Sequence, residues 1–243
     1  MKILNKVTVT GADDFTAYDK MVEIQEQFPF VEFAILVKSI EKTHTYTSGN
    51  VNPFAYRFPS IVWLRGLENY ASKLNLAVHL CGKIVPEILE HGTIGTNAPH
   101  VNLDIFRRIQ INTHGEPHQY NVDKLAVAIK SLPSKQFIFQ LDKVNESIMD
   151  KVFDKGCFNI SGLYDLSHGT GILADELRKP NERGILTGYA GGLSPSNVEQ
   201  QLEKIEKIAT NTWIDAETHL RHDQIFNCPL VIEFLQRSSN WAK

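Results

Sequence analysis

The chain lacks the marks of several common protein classes. Its three cysteines, Cys81, Cys157 and Cys228, are too few and too scattered for a disulfide framework. No apolar run is long enough for a membrane span, and "MKILNKVTVTGADD" has no signal-peptide core. The expectation is a reduced, cytoplasmic protein with no membrane partner. There is no Lys/Arg cluster, and 25 basic against 28 acidic residues leave a net charge of −3, which gives nucleic acid no electrostatic footing. The first strand–helix turn, "TGADDF", lacks the spaced glycines of a dinucleotide site. His100, His114 and His118 have no metal-ligand spacing with carboxylates, so neither metal nor cofactor is expected.

What is present is a core and a rhythm. Hydrophobic residues make up 42% and charged residues 22% of 243, the balance of a globular protein with a large interior. Strands are expected at 6–10, 31–38, 75–81, 107–113, 136–142, 160–165, 184–191 and 210–217, from their β-branched and apolar runs. "VEFAILVK" (31–38) is nearly continuous in apolar residues, as in a strand covered on both faces. Helical patterns follow at 13–28, 60–74, 83–92, 121–132, 145–156, around 172–178, at 194–209 and at 222–239, the last interrupted near Pro229. Ser60 and Ser194 are candidate caps, with Pro195 at a first helical position. The polar segment 39–59 reads as a long loop insertion, and loops of that length are usually functional or mobile. Eight such units in ~250 residues imply a closed parallel (β/α)8 barrel, a single domain over 1–243; a doubly wound open sheet is the alternative.

Barrel chemistry comes from the C-terminal ends of strands and the loops beyond them. Asp142, Asp165 and Asp215 end strands there. Asp165 stands out because "LYDLSHGTG" places Gly169 and Gly171 just after it, where backbone can approach a ligand. In "GYAGGLSPSNV", Gly191 and Gly192 lead into a helix whose positive end suits an anion. A tight turn before a capped helix would use the same letters; the barrel order favours phosphate, held between the loops after strands seven and eight. Cys81, with Lys83 nearby, is a candidate thiolate, and His168 lies three residues after Asp165. His79, inside a strand, reads as a packed core residue. Lys38 and Lys143 at strand ends would suit a Schiff-base lyase.

These segments resemble the phosphoribosylanthranilate isomerase family of tryptophan biosynthesis. "GLYDLSHGTGI" is similar to its strand-six motif and "GYAGGLSPSNV" to its strand-seven phosphate loop, the most specific match. "RIQINTHGE", with Gln110, resembles strand four; "WIDAETHLR", with Glu217 and Thr218, falls at the last strand and the second half of the phosphate cradle. Arg57 and Ser60 in "AYRFPSIVWL" resemble the arginine loop that in the family contacts the anthranilate part. The resemblance implies an Amadori rearrangement of a small phosphorylated aminoaldose to an aminoketose, with Asp165 as general acid, its pKa raised by burial.

The family's strand-one base, a cysteine, is replaced here by Thr10 before Gly11, and a threonine hydroxyl is too weak a base unaided. The family's Ser-Gly in the last loop is Thr218-His219. Cys81 and His168 are the candidate replacement bases. Two readings stand beside the isomerase: a barrel that binds a phosphorylated ligand without catalysis, and the lyase. The long loop and the charged helix 199–207 offer contact surfaces for a homodimer.

Overall fold

The computed structural model describes residues 2–39, 57–92, 98–112, 120–142, 146–165 and 177–243. Eight strands, β1 (Leu4–Thr10), β2 (Val31–Val37), β3 (Leu76–Leu80), β4 (Arg108–Ile111), β5 (Gln136–Leu141), β6 (Ile160–Asp165), β7 (Leu186–Ala190) and β8 (Thr212–Ala216), close into a barrel in sequence order. Every pairing in it is parallel, and β1 meets β8 with Thr8 opposite Asp215. Around the strands lie α1 (Tyr18–Gln27), α2 (Ile61–Glu68), α3 (Ile84–His91), α4 (Val122–Ser131), α5 (Glu146–Asp154), α6 (Val198–Ile205) and α7 (Cys228–Ser238). This is the expected (β/α)8 barrel. The open-sheet alternative fails because β1 and β8 pair.

The apolar residues divide between two places. Most form a shell between strands and helices, which is why β2 is buried at all seven positions. A small second cluster, Ile138, Leu163 and Trp213, fills the barrel itself. Trp213 fits only because Gly188 on the neighbouring strand has no side chain; a Cβ there would collide with the indole. Leu36, Leu186 and Ala190 extend the barrel's apolar walls, and polar groups share the rest of the interior. Glu32 on β2 accepts hydrogen bonds from Arg108 Nη1 (2.8 Å), Thr8 Oγ1 (3.0 Å) and Lys6 Nζ (3.3 Å), and the Arg108 guanidinium lies 3.9 Å from the Trp213 ring centroid. Burial alone would raise the Glu32 carboxyl, but Arg108 and Lys6 hold it below the usual range.

Four local expectations need correction. Residues 13–17 precede α1 in a turn, where Asp13 accepts from the Phe15 N–H and bonds Arg221 instead of opening the helix. Helix α6 begins at Val198, not beside Ser194: Ser194 O does accept from Val198 N–H, but its hydroxyl meets Ser196 and caps no backbone group. At the C-terminal end, the expected helix from residue 222 is preceded by a two-stranded hairpin, β9 (Arg221–His222) and β10 (Ile225–Phe226). Asp223 and Gln224 turn it with positive φ of 49° and 66°. Pro229 does not interrupt α7 but lies in its first turn, where its missing N–H costs nothing, and Asn227 caps it by accepting from Leu230 N–H. Ser60 caps α2 as expected, accepting from Trp63 N–H. The segment 40–56 and the helix expected around 172–178, up to residue 176, lie outside the described residues.

Candidate active site

At the C-terminal end of the barrel the inward side chains surround a cavity of about 180 Å³. His79 and Cys81 reach it from β3 and its end, Gln110 from β4, Gln140 from β5, Asp165 from β6 and Asp215 from β8. Arg57, Gly191, Gly192, Glu217 and Thr218 complete the rim. Of the candidates from sequence, the fold therefore gathers Asp165, Cys81, Gln110, Arg57, Gly191, Gly192, Glu217 and Thr218 around one space. His168, Gly169 and Gly171 lie outside the described residues, as do His114, His118 and Lys143.

Thr10 ends β1 at the same level. Its hydroxyl donates to Asp215 Oδ1 at 2.6 Å, so it is engaged with a neighbouring carboxyl. Asp215 is only 6% exposed. Burial pushes its pKa up to about 8, with the charges of Glu217, Asp165 and Glu32 adding to the rise and the Thr10 bond opposing it. Its other oxygen, Oδ2, lies 3.8 Å from His79 Nε2. That nitrogen is buried with no hydrogen-bond partner, and burial holds the imidazole down at about 3, hence neutral. His79 is thus buried as expected, yet its ring nitrogen faces the site.

The expectation of a Cys81 thiolate is corrected. Burial and the Glu217 charge push the thiol up to about 12, against the pull of Asn112, Lys38 and Arg57, so it stays protonated at neutral pH. Its sulfur accepts from Asn112 Nδ2 at 3.1 Å. Asp165 is partly exposed, and its Oδ2 accepts from Gln140 Nε2 at 2.8 Å. Arg57 forks onto Glu217, its Nε 2.8 Å from Oε1. Burial still leaves the Glu217 carboxyl raised. Lys38 lies over the Phe58 ring, 3.8 Å from its centroid.

Gly191 and Gly192 have φ of 96° and 66°, which a side chain would strain. Asn197 holds the turn, donating to Gly192 O at 2.8 Å and accepting from Ser194 N–H at 2.9 Å. Gly11, after Thr10, has φ of 104° and gives its carbonyl to Arg221 Nη1 at 2.7 Å. Among the described residues no three His, Cys, Asp or Glu side chains could hold a metal ion, and no helix is long and apolar enough to cross a membrane.

Sequence reasoning passed over Asp215. It is one of three strand-ending aspartates, and only Asp165 has glycines close behind it to mark it locally. The available signal was "TVTG" at strand one: in a closed barrel the last strand adjoins the first, so Thr10 had to have a β8 neighbour.

No protein-family model matches the sequence, and no curated protein sequence does. Solved structures do match in fold. The N-(5'-phosphoribosyl)anthranilate isomerase from Pyrococcus furiosus is 16% identical, with a TM-score of 0.52 over 97% of this chain and 98% of that one. A phosphoribosylanthranilate isomerase in complex with reduced 1-(o-carboxyphenylamino)-1-deoxyribulose 5-phosphate is 12% identical, TM-score 0.54, over 98% and 100%. The 3-hexulose-6-phosphate synthase from Salmonella typhimurium is 10% identical, TM-score 0.54, over 97% and 99%. At such identities the likeness is one of fold: over nearly its whole length the chain shares the (β/α)8 frame of the phosphoribosylanthranilate isomerases and of other barrels.

Proposed function

We propose that the protein is an intramolecular isomerase that moves a proton within a small phosphorylated amino sugar, an Amadori-type aldose–ketose conversion. The observation that carries this reading is the convergence of Asp165 and the Gly191–Gly192 turn on one cavity. The turn anchors the phosphate with Thr218, and Asp165, lining the same cavity, handles a proton at the sugar carbons. The resemblance of the strand-six and strand-seven segments, and the deoxyribulose 5-phosphate derivative bound by the second neighbour, point to the same ligand class. Gln110 and Arg57 are the candidate contacts for the rest of the substrate. A barrel that binds the ligand without turnover is the second reading, favoured by the engagement of Thr10 with Asp215 in place of a free strand-one base.

The test is fluorescence-monitored turnover of phosphoribosylanthranilate by wild type and Asp165→Asn. The expected outcome is turnover that falls at least 100-fold in the variant, as for loss of a proton-transfer group. Saturable binding of ribose 5-phosphate without turnover would favour the non-catalytic reading, and absence of both would overturn the phosphate site.

A further inference from the structure

The site as proposed has one proton-transfer group, Asp165, and a strand-one residue that cannot be the other. The structure supplies the missing member next to it. Asp215 projects into the same cavity from the neighbouring strand, with one oxygen fixed by Thr10 at 2.6 Å and the other turned toward the unpartnered His79 nitrogen. Asp165 is differently placed: partly exposed, with an oxygen receiving the Gln140 amide hydrogen at 2.8 Å. We propose that Asp215 is the acid of this site and Asp165 its base, the threonine at strand one serving to aim the acid. The inference rests on the isomerase reading and reverses the role that the family resemblance gives to Asp165.

The surroundings support the assignment. Facing Asp215 are Glu32 from β2, paired with Arg108 of β4, neutral His79 and the protonated Cys81 thiol from β3 and its end, Asp165 from β6, and Glu217 beyond β8, paired with Arg57. Leu186, Gly188 and Ala190 of β7 bring no charge to the interior. Negative neighbours and burial together keep a proton on Asp215 at neutral pH.

The steps balance. Asp215 gives its proton to the ring oxygen as the C1–O bond breaks and its electron pair stays on that oxygen, leaving a protonated imine at C1. Asp165 takes the C2 proton; the C2–H pair becomes the C1=C2 bond, and the imine π pair passes to nitrogen. The enol hydroxyl then returns a proton to Asp215, and protonated Asp165 delivers its proton to C1, giving the ketone and restoring both residues.

The experiment compares kcat and KM on phosphoribosylanthranilate across pH 6 to 10 for wild type, Asp215→Asn and Thr10→Val. Circular dichroism confirms the fold of each, and Asn is a close match for a neutral carboxyl. The wild type should lose kcat/KM as pH rises through about 8. Asp215→Asn should lose at least 100-fold in kcat with KM within threefold, and Thr10→Val should move the alkaline limb to higher pH because the hydrogen bond that lowers the acid's pKa is gone. An Asp215→Asn enzyme that keeps wild-type kcat overturns this inference and leaves the isomerase reading standing. So does an alkaline limb that Thr10→Val fails to move, or activity that rises through pH 8. A wild type with no turnover overturns both.

Discussion

Arg108 and Glu32 show how much a buried residue depends on its neighbour. Both are nearly inaccessible, at 2% and 1% exposure, and each is the other's main compensation for leaving water. Removing one partner strands the other charge in the interior, which typically costs about 3–5 kcal/mol, whereas replacing both by apolar groups of similar size is often near neutral. Arg108→Met is therefore expected to lower the unfolding free energy by roughly that amount, and the Arg108→Met/Glu32→Leu double variant to recover most of it. Urea denaturation of the three proteins measures both. A double variant no better than the single would show that Lys6 and Thr8, which also hold Glu32, carry more of the pair's stability than the ion pair itself.

Among the elements, the strands were legible and helix ends only in part: Ser60 and Gly92 mark theirs, whereas Ser194 does not. Each strand is a dense apolar or β-branched run because the barrel covers both faces, and that pattern depends on few neighbours. Helix starts depend on which hydroxyl or amide finds a free N–H, and "GGLSPSNV" and "QIFNCPLV" offer several choices. Asn227 does cap α7, so Asn227→Ala should cost about 1 kcal/mol in denaturant unfolding; Ser194→Ala, which removes no cap, should cost only a few tenths. Equal losses would mean that the Ser194–Ser196 pair is itself structural. The β9–β10 hairpin was missed because its turn residues, Asp223 and Gln224, carry positive φ without a glycine to signal it. The site was legible in part for a similar reason. Gly191, Gly192 and Asp165 announce themselves by local sequence, but the state of Cys81 and the pairing of Thr10 with Asp215 are set by residues far along the chain, 205 positions apart in the second case.

At the scale of the whole molecule, two buried groups in contact make stability depend on pH in opposite senses. Asp215 has a folded pKa raised to about 8, so its contribution is complete below the ordinary carboxyl range and is lost as pH climbs toward 8. His79, depressed to about 3, contributes fully above the ordinary imidazole value of 6.5 and loses that contribution as pH falls toward 3. Between about pH 4 and 6.5 the two slopes oppose each other; from 6.5 to 8 only the Asp215 loss remains. At about 1.4 kcal/mol per pH unit, the unfolding free energy attributable to this pair should drop by roughly 2 kcal/mol over that interval. Asp215→Asn should flatten that drop in guanidinium titrations at pH 6.5 and 8; a drop that persists in the variant would assign it to other groups.

Trp213 lies just below this pair, its ring stacked on the Arg108 guanidinium and walled by the bare backbone of Gly188. The chain has three tryptophans, and Trp213 is the one fully enclosed within the barrel. An indole sealed from water beside a fixed cation emits with a colour and lifetime set by that charge. The barrel thus contains its own optical gauge, one that should respond when an anionic ligand settles at the mouth of the same barrel, without any label.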